Sequence, residues 1–105
     1  MDTNNKLNNL IEKVKNFNDD EQYDKVIQLL PSVVINEYNN STLYSEKAQA
    51  LWNINKKDEC FYCAQKAKEL DPYNAKAHHY LGNIISDENE EKAIEYYQKA
   101  IKIDP

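Results

Sequence analysis

The stretch AIEYYQKAIKIDP at residues 93–105 repeats the outline of CFYCAQKAKELDP at residues 60–72. Gln-Lys-Ala and the closing Asp-Pro stand at the same places in both stretches. Apolar residues three and four positions apart predict a helix in each, and the proline predicts where that helix ends. A helix ending that is written twice indicates an internal repeat of one supersecondary unit.

The same period runs through the rest of the chain. Two sets of positions keep a step of 34 residues: Leu10, Tyr44 and His78, and Phe17, Leu51 and Ile85. The last copy is one residue shorter, and the acidic turn at 86–90 is where the residue is missing. The sequence therefore predicts one domain of three copies, at about 7–40, 41–73 and 74–105.

Each copy reads as two helices joined by a short connection. The apolar spacing predicts six helices, at about 6–17, 22–37, 41–53, 57–70, 74–86 and 90–103. Pro31 falls inside the second of them, where it is expected to kink the helix or to end it early. Asn74 follows the turn signal Asp-Pro-Tyr and is a candidate cap for the fifth helix.

Composition narrows the class of function. The net charge is −5 and the pI is about 5.0, which disfavours nucleic acid as a partner. No apolar run approaches the length of a membrane span, so a membrane partner is not expected either. The two cysteines are most simply reduced thiols, which indicates an intracellular, cytoplasmic protein.

In its repeats the chain resembles the tetratricopeptide repeat family. The third copy carries the pattern best, with Leu81-Gly82 in its first helix, Ala93 and Tyr97 in its second, and Pro105 at its end. The first copy is degenerate, because Val14 and Val26 replace small residues and Tyr38 replaces the terminal proline. The resemblance implies an all-α fold, a right-handed superhelical array of three helix-turn-helix repeats.

Three places in the sequence carry residue types that could support chemistry, and packing or solvent exposure accounts for each of them. Cys60 and Cys63 form a C-x-x-C, but a zinc site needs four ligands, and neighbouring histidines on a helix cannot chelate together. Cys60 stands at a small packing position, and His78 at an aromatic core position. The acidic turn lacks the spacing and central glycine of a calcium loop. The sequence predicts no enzyme, no metal site and no cofactor, and reactive thiols remain the minor alternative.

The resemblance places the ligand on the concave face, which the first helix of each repeat lines. It implies a protein–protein interaction module, an adaptor or scaffold, that binds a peptide segment of a partner there. The candidate groove residues are Lys15, Gln49, Trp52, Asn53, Lys76, His79, Tyr80 and Asn83, and by register Ile11, Ser45 and Glu46 lie beside them. The alternative is a structural module that self-associates or stacks without a peptide ligand.

One narrower function within the family fits poorly. Some members clamp the C-terminal carboxylates of heat-shock chaperones with Lys, Asn, Asn, Lys and Arg. The corresponding positions here hold Ile11, Lys15, Glu46, Lys76 and Tyr80, so only Lys76 matches, and Glu46 would repel a carboxylate. The sequence disfavours this clamp.

The last helix is expected to end the array without a polar cap. Ala93, Tyr97 and Ile101 are predicted to face their own pair, whereas Ile94, Ala100 and Ile103 partly face the place of a further helix. From this we expect a fragment of a longer protein, with a possible homodimer through the uncapped C-terminal helix.

Overall fold

The computed structural model describes residues 3–105, which form seven α-helices and no strand. The helices are α1 (Thr3–Asp19), α2 (Tyr23–Leu29), α3 (Ser32–Tyr38), α4 (Ser41–Asn53), α5 (Lys57–Leu70), α6 (Ala75–Ile85) and α7 (Glu90–Ile103). The described part of the chain measures 46 × 25 × 23 Å, an elongated shape that stacked helix pairs produce.

The helices pack as successive pairs. The closest pairs are α4 with α5 and α6 with α7, and α6 also packs against α5 and α4. At the N-terminal end, α1 and α2 contact each other and α4. The predicted all-α repeat fold is confirmed.

The prediction that Pro31 ends the second helix early is confirmed, because this helix divides into α2 and α3. The described residues therefore form seven helices, and the prediction of six is corrected. Leu30 closes α2, and its backbone N–H donates to the carbonyls of Val26 and Ile27 at 3.1 and 3.2 Å. Pro31 has no N–H to donate the next helical hydrogen bond. Its ψ of 161° is extended, so the backbone leaves the helical conformation before α3 begins. The Leu30 side chain is fully buried at the break.

Asparagine side chains cap the start of α4, α6 and α7. Each Oδ1 accepts a 3.0 Å hydrogen bond from the backbone N–H three residues later: Asn40 from Leu43, Asn74 from Ala77, and Asn89 from Lys92. These bonds satisfy amide groups that the helix itself leaves without partners. The predicted cap at Asn74 is confirmed.

Small residues let the paired helices approach closely. A Cβ atom built on Gly82 of α6 would lie 2.7 Å from Cε1 of Tyr97 on α7, a distance at which the ring would have to move. All three of the nearest atoms to this built Cβ belong to the Tyr97 ring. In the preceding pair, Ala48 and Cys60 are both fully buried, and the small packing position predicted for Cys60 is confirmed.

The predicted orientation of α7 is wrong at one residue. Ala93 is buried and Tyr97 is half-buried, but the Ile101 side chain is 65% exposed. The less exposed position in this turn is Ala100, which is half-buried, and the next residue on a helix points about 100° away from it. Ile94 is exposed as expected, so α7 carries two exposed isoleucines one heptad apart.

Candidate functional site

Aromatic side chains from α4, α6 and α7 lie in a row on one face. The rings of Trp52 and Tyr80 are 6.4 Å apart between centroids, those of Tyr80 and His79 are 4.8 Å apart with edge-to-face geometry, and those of His79 and Tyr97 are 5.9 Å apart. These separations lie in the range of favourable aromatic pairs. The row joins three of the predicted groove residues with one that the sequence assigned to packing alone.

Two linked hydrogen bonds determine which nitrogen of the neutral His79 ring carries the proton. The Tyr97 hydroxyl donates to Oδ1 of Asn83 at 2.7 Å, so the Asn83 amide nitrogen is left to donate to Nε2 of His79 at 3.3 Å. In the neutral ring the proton is therefore on Nδ1. Burial lowers the pKa of His79, and the nearby Lys76 charge lowers it further, which favours this neutral form.

Tyr80 forms the floor of the row. Its side chain is 8% exposed, far less than a freely accessible groove residue would be. Burial raises the pKa of its phenol to about 12, with smaller contributions from Cys60, Tyr23 and Glu46. Tyr80 is therefore a neutral hydroxyl at physiological pH, and most of its ring belongs to the core.

Glu46 and Lys76 form an ion pair between the second and third repeats. Nζ of Lys76 lies 2.9 Å from Oε2 of Glu46 and donates to Oε1 of Gln49 at 2.6 Å, and Nδ2 of Asn18 donates to Oε1 of Glu46 at 2.9 Å. The Glu46 side chain is 4% exposed and that of Lys76 is 37% exposed. The predicted role of Glu46 as a groove charge is corrected, because its carboxylate is buried in an inter-repeat bond.

Two of the remaining predicted groove residues line a cleft beside the row, and two others are exposed outside that cleft. Gln49 and Lys76 line a cleft of about 490 Å³ beside His79 and Tyr80, which Ala100 and Ile101 close from α7. Asn53 is exposed, and its Nδ2 donates to the Gln49 carbonyl at 2.8 Å. Lys15 is exposed on α1, a helix that packs against α2 and α4. The structure thus brings together the predicted residues of α4 and α6, and α1 contributes nothing to the row.

The two cysteines are buried free thiols. Cys60 is fully buried and Cys63 is 5% exposed, and burial raises their pKa to about 12 and about 11. A reactive thiol needs a lowered pKa and access to solvent, and neither condition is met. Their predicted packing role is confirmed. Within residues 3–105, no group of three or more His, Cys, Asp or Glu side chains could hold a metal ion.

Sequence reasoning missed two contributors to this region, Tyr97 and Asn18. The position of Tyr97 opposite Gly82 was a usable signal, because a ring that crosses a glycine can extend past the first helix to the groove. No pattern in the sequence marks Asn18. It is 2% exposed and donates to Glu46, a residue 28 positions later in the chain.

In the described part of the chain, no helix has the length and apolarity that crossing a bilayer requires. A family model described as a tetratricopeptide repeat matches residues 85–105. Among solved structures, one described as "MamA RS-1 ArsTM double mutant" superposes with a TM-score of 0.71 at 22% identity, covering 90% of this chain and 53% of that chain. At this identity the likeness concerns the fold alone.

Among curated proteins, the chain is 33% identical over 86 residues to Small glutamine-rich tetratricopeptide repeat-containing protein 2 of Mycosarcoma maydis. The match covers 81% of this chain and 22% of that protein, so the chain spans about a fifth of the relative's length. Repeats of this kind are generally protein–protein interaction modules. The family model, the curated relative and the stacked helix pairs together support assignment of the chain to the tetratricopeptide repeat family.

Proposed function

We propose that this chain binds a peptide segment of a partner protein along the face formed by α4 and α6. The observation that supports it is the aromatic row of Trp52, Tyr80, His79 and Tyr97, beside a cleft of about 490 Å³. Aromatic side chains held in place provide contact area at low entropic cost, and Trp and Tyr are frequent anchors of interfaces. No catalytic step is part of this proposal.

The polar groups of the row suit a peptide backbone. With Nε2 of His79 occupied by Asn83, its Nδ1–H is the ring donor available for a carbonyl oxygen. Lys76 is held by Glu46 and Gln49, so its charge is largely matched within the protein. A ligand of this face therefore needs hydrogen-bond acceptors and an apolar anchor rather than a cluster of negative charges.

We expect peptides selected against the chain from a random library to quench or shift the fluorescence of Trp52, the only tryptophan in the sequence. Trp52→Ala with His79→Ala should weaken their binding by about 100-fold, because two anchor contacts of about 1–2 kcal/mol each are lost. Binding is measured by fluorescence anisotropy of the labelled peptide, and helicity by circular dichroism.

The matched control replaces Phe61 and Tyr62 of α5 with alanine, two side chains that are 48% and 58% exposed outside the row. This variant should bind the selected peptides as the wild type does. If the α5 variant loses binding and the groove variant keeps it, the proposed face is wrong. The affinity of the His79→Ala single variant tests the same face without changing Trp52, which is half-buried.

The exposed isoleucines of α7 favour a second candidate, self-association without a peptide ligand. Ile94 is 46% exposed and Ile101 is 65% exposed, and a spacing of seven residues places both on one stripe of the helix. Such a stripe can pack against another helix, in a second copy or in a further repeat. This contact would use Ile101, which also lines the cleft beside the aromatic row, so self-association and peptide binding would compete there.

We expect the apparent mass of the chain to rise with concentration, and Ile94→Asn with Ile101→Asn to abolish the rise. Burying one isoleucine is worth about 1.5–3 kcal/mol, so two of them contribute measurably to a dimer. Sedimentation velocity over a wide concentration range measures the mass. A wild type that stays monomeric at every concentration would exclude self-association. The peptide-binding proposal would not be affected by that result.

A further inference from the structure

A second cleft, of about 930 Å³, lies between the end of α5 and the end of α7. It shares no lining residue with the aromatic row or with the cleft beside that row. Pro72, Tyr73 and Ile103 give it an apolar surface, and the Tyr73 side chain is 77% exposed there. Its volume lies in the range of clefts that bind ligands.

The charge of this cleft is opposite to that of the whole chain. Lys68, Lys99 and Lys102 line it with Glu69 as the one acid, in a sequence of net charge −5. The Lys68 ammonium, from α5, lies 5.7 Å from the centre of the Tyr96 ring of α7, a cation–π contact between the two helices. Lys99 and Lys102 come from one face of α7, three residues apart. Lysine side chains of both α5 and α7 therefore line the cleft together with its apolar residues.

His78 lines the same cleft and has one ring nitrogen without a partner. Nε2 lies 2.8 Å from the Pro72 carbonyl, which can only accept, so Nε2 carries the proton of the neutral ring. Nδ1 is buried and makes no hydrogen bond within the described part of the chain. The His78 residue as a whole is only 4% exposed. A buried polar atom without a partner is uncommon and calls for a reason such as a ligand.

We propose that this cleft is a second binding site, which takes an acidic peptide segment with an apolar residue among its carboxylates. The carboxylates pair with the ammonium groups of Lys68, Lys99 and Lys102, and the apolar residue lies on Pro72, Tyr73 and Ile103. Separate lysines on two helices fit several carboxylates along a chain better than one compact anion. Nδ1 of the neutral His78 ring is left as an acceptor, and a backbone N–H of the peptide would be its partner.

The test uses two synthetic peptides, acetyl-Glu-Glu-Leu-Glu-Glu-Leu-amide and the same peptide with glutamine at every glutamate. We expect the acidic peptide to bind at least about tenfold more tightly than its neutral counterpart, and its affinity to fall by about tenfold between 0.05 and 0.5 M salt. NMR should show shifts of the Tyr73 and His78 ring signals on binding, with the Trp52 indole signal unmoved.

Two double variants with the same change of charge separate local pairing from overall charge. Lys99→Gln with Lys102→Gln should weaken binding of the acidic peptide by about tenfold or more. Lys6→Gln with Lys13→Gln, both exposed on α1, should change it less than about threefold. Equal effects of the two variants, equal affinity of the two peptides, or shifts at Trp52 in place of Tyr73 and His78 would each overturn the proposal.

Discussion

Gly82→Leu is expected to lower the free energy of unfolding by about 1–3 kcal/mol, since a leucine must enter a space already filled by a ring. Even the first added carbon would lie 2.7 Å from Cε1 of Tyr97. In a chain of this size the loss corresponds to a fall in melting temperature of about 4 °C or more for each kcal/mol. Thermal unfolding followed by circular dichroism measures it.

Two further variants distinguish overpacking from other effects of the substitution. Gly82→Ala should cost less than the leucine, because the Tyr97 ring can shift slightly and alanine favours a helix by up to about 1 kcal/mol. Combining Gly82→Leu with Tyr97→Ala should cost less than the two changes added together, since the second removes the obstacle to the first. Strict additivity would mean that Tyr97 is not what restricts the position.

Lys76→Met is expected to destabilise the chain by about 1–3 kcal/mol, because it leaves the Glu46 carboxylate buried without its cation. The partial exposure of Lys76 keeps the expected loss below that of a fully buried pair. Urea unfolding measures it, with Lys56→Met as the control. Lys56 pairs with Glu59 at 3.8 Å on the surface, so its loss should change stability by no more than about 0.5 kcal/mol.

A double-mutant cycle tests whether the effect passes through Glu46. In a Glu46→Gln background the carboxylate is gone, and a glutamine there can donate to Oε1 of Gln49 in place of the lysine. Lys76→Met should then cost clearly less than in the wild type. An unchanged cost would show that Lys76 acts through its aliphatic stem rather than its charge.

The repeat period predicted most of the fold for a physical reason. Apolar spacing determines which face of a helix is buried, and a fixed period places successive helix pairs in equivalent positions. The predicted bounds of α4, α5 and α7 therefore agree with the structure, and α6 differs by one residue at each end. The exception is the first repeat, where Pro31 broke a helix that apolar spacing alone would have continued.

The candidate site was less predictable, because burial there depends on contacts between repeats. Register placed Glu46 and Tyr80 on the groove side, and their low exposure follows from Lys76, Asn18 and Trp52 in neighbouring helices. Such contacts have no regular spacing along the chain. The identity of the residues that bind a partner stays a prediction, which the variants of Trp52 and His79 test.

The asparagine caps of α4, α6 and α7 have a consequence for behaviour in acid. An aspartate cap loses its charge as the pH falls through about 4, and a weaker acceptor remains. An amide oxygen has no such transition, so Asn40, Asn74 and Asn89 accept the same hydrogen bonds at pH 3 as at pH 7. The capping hydrogen bonds of three helices, including both helices of the last repeat, therefore do not depend on the protonation of the capping residue.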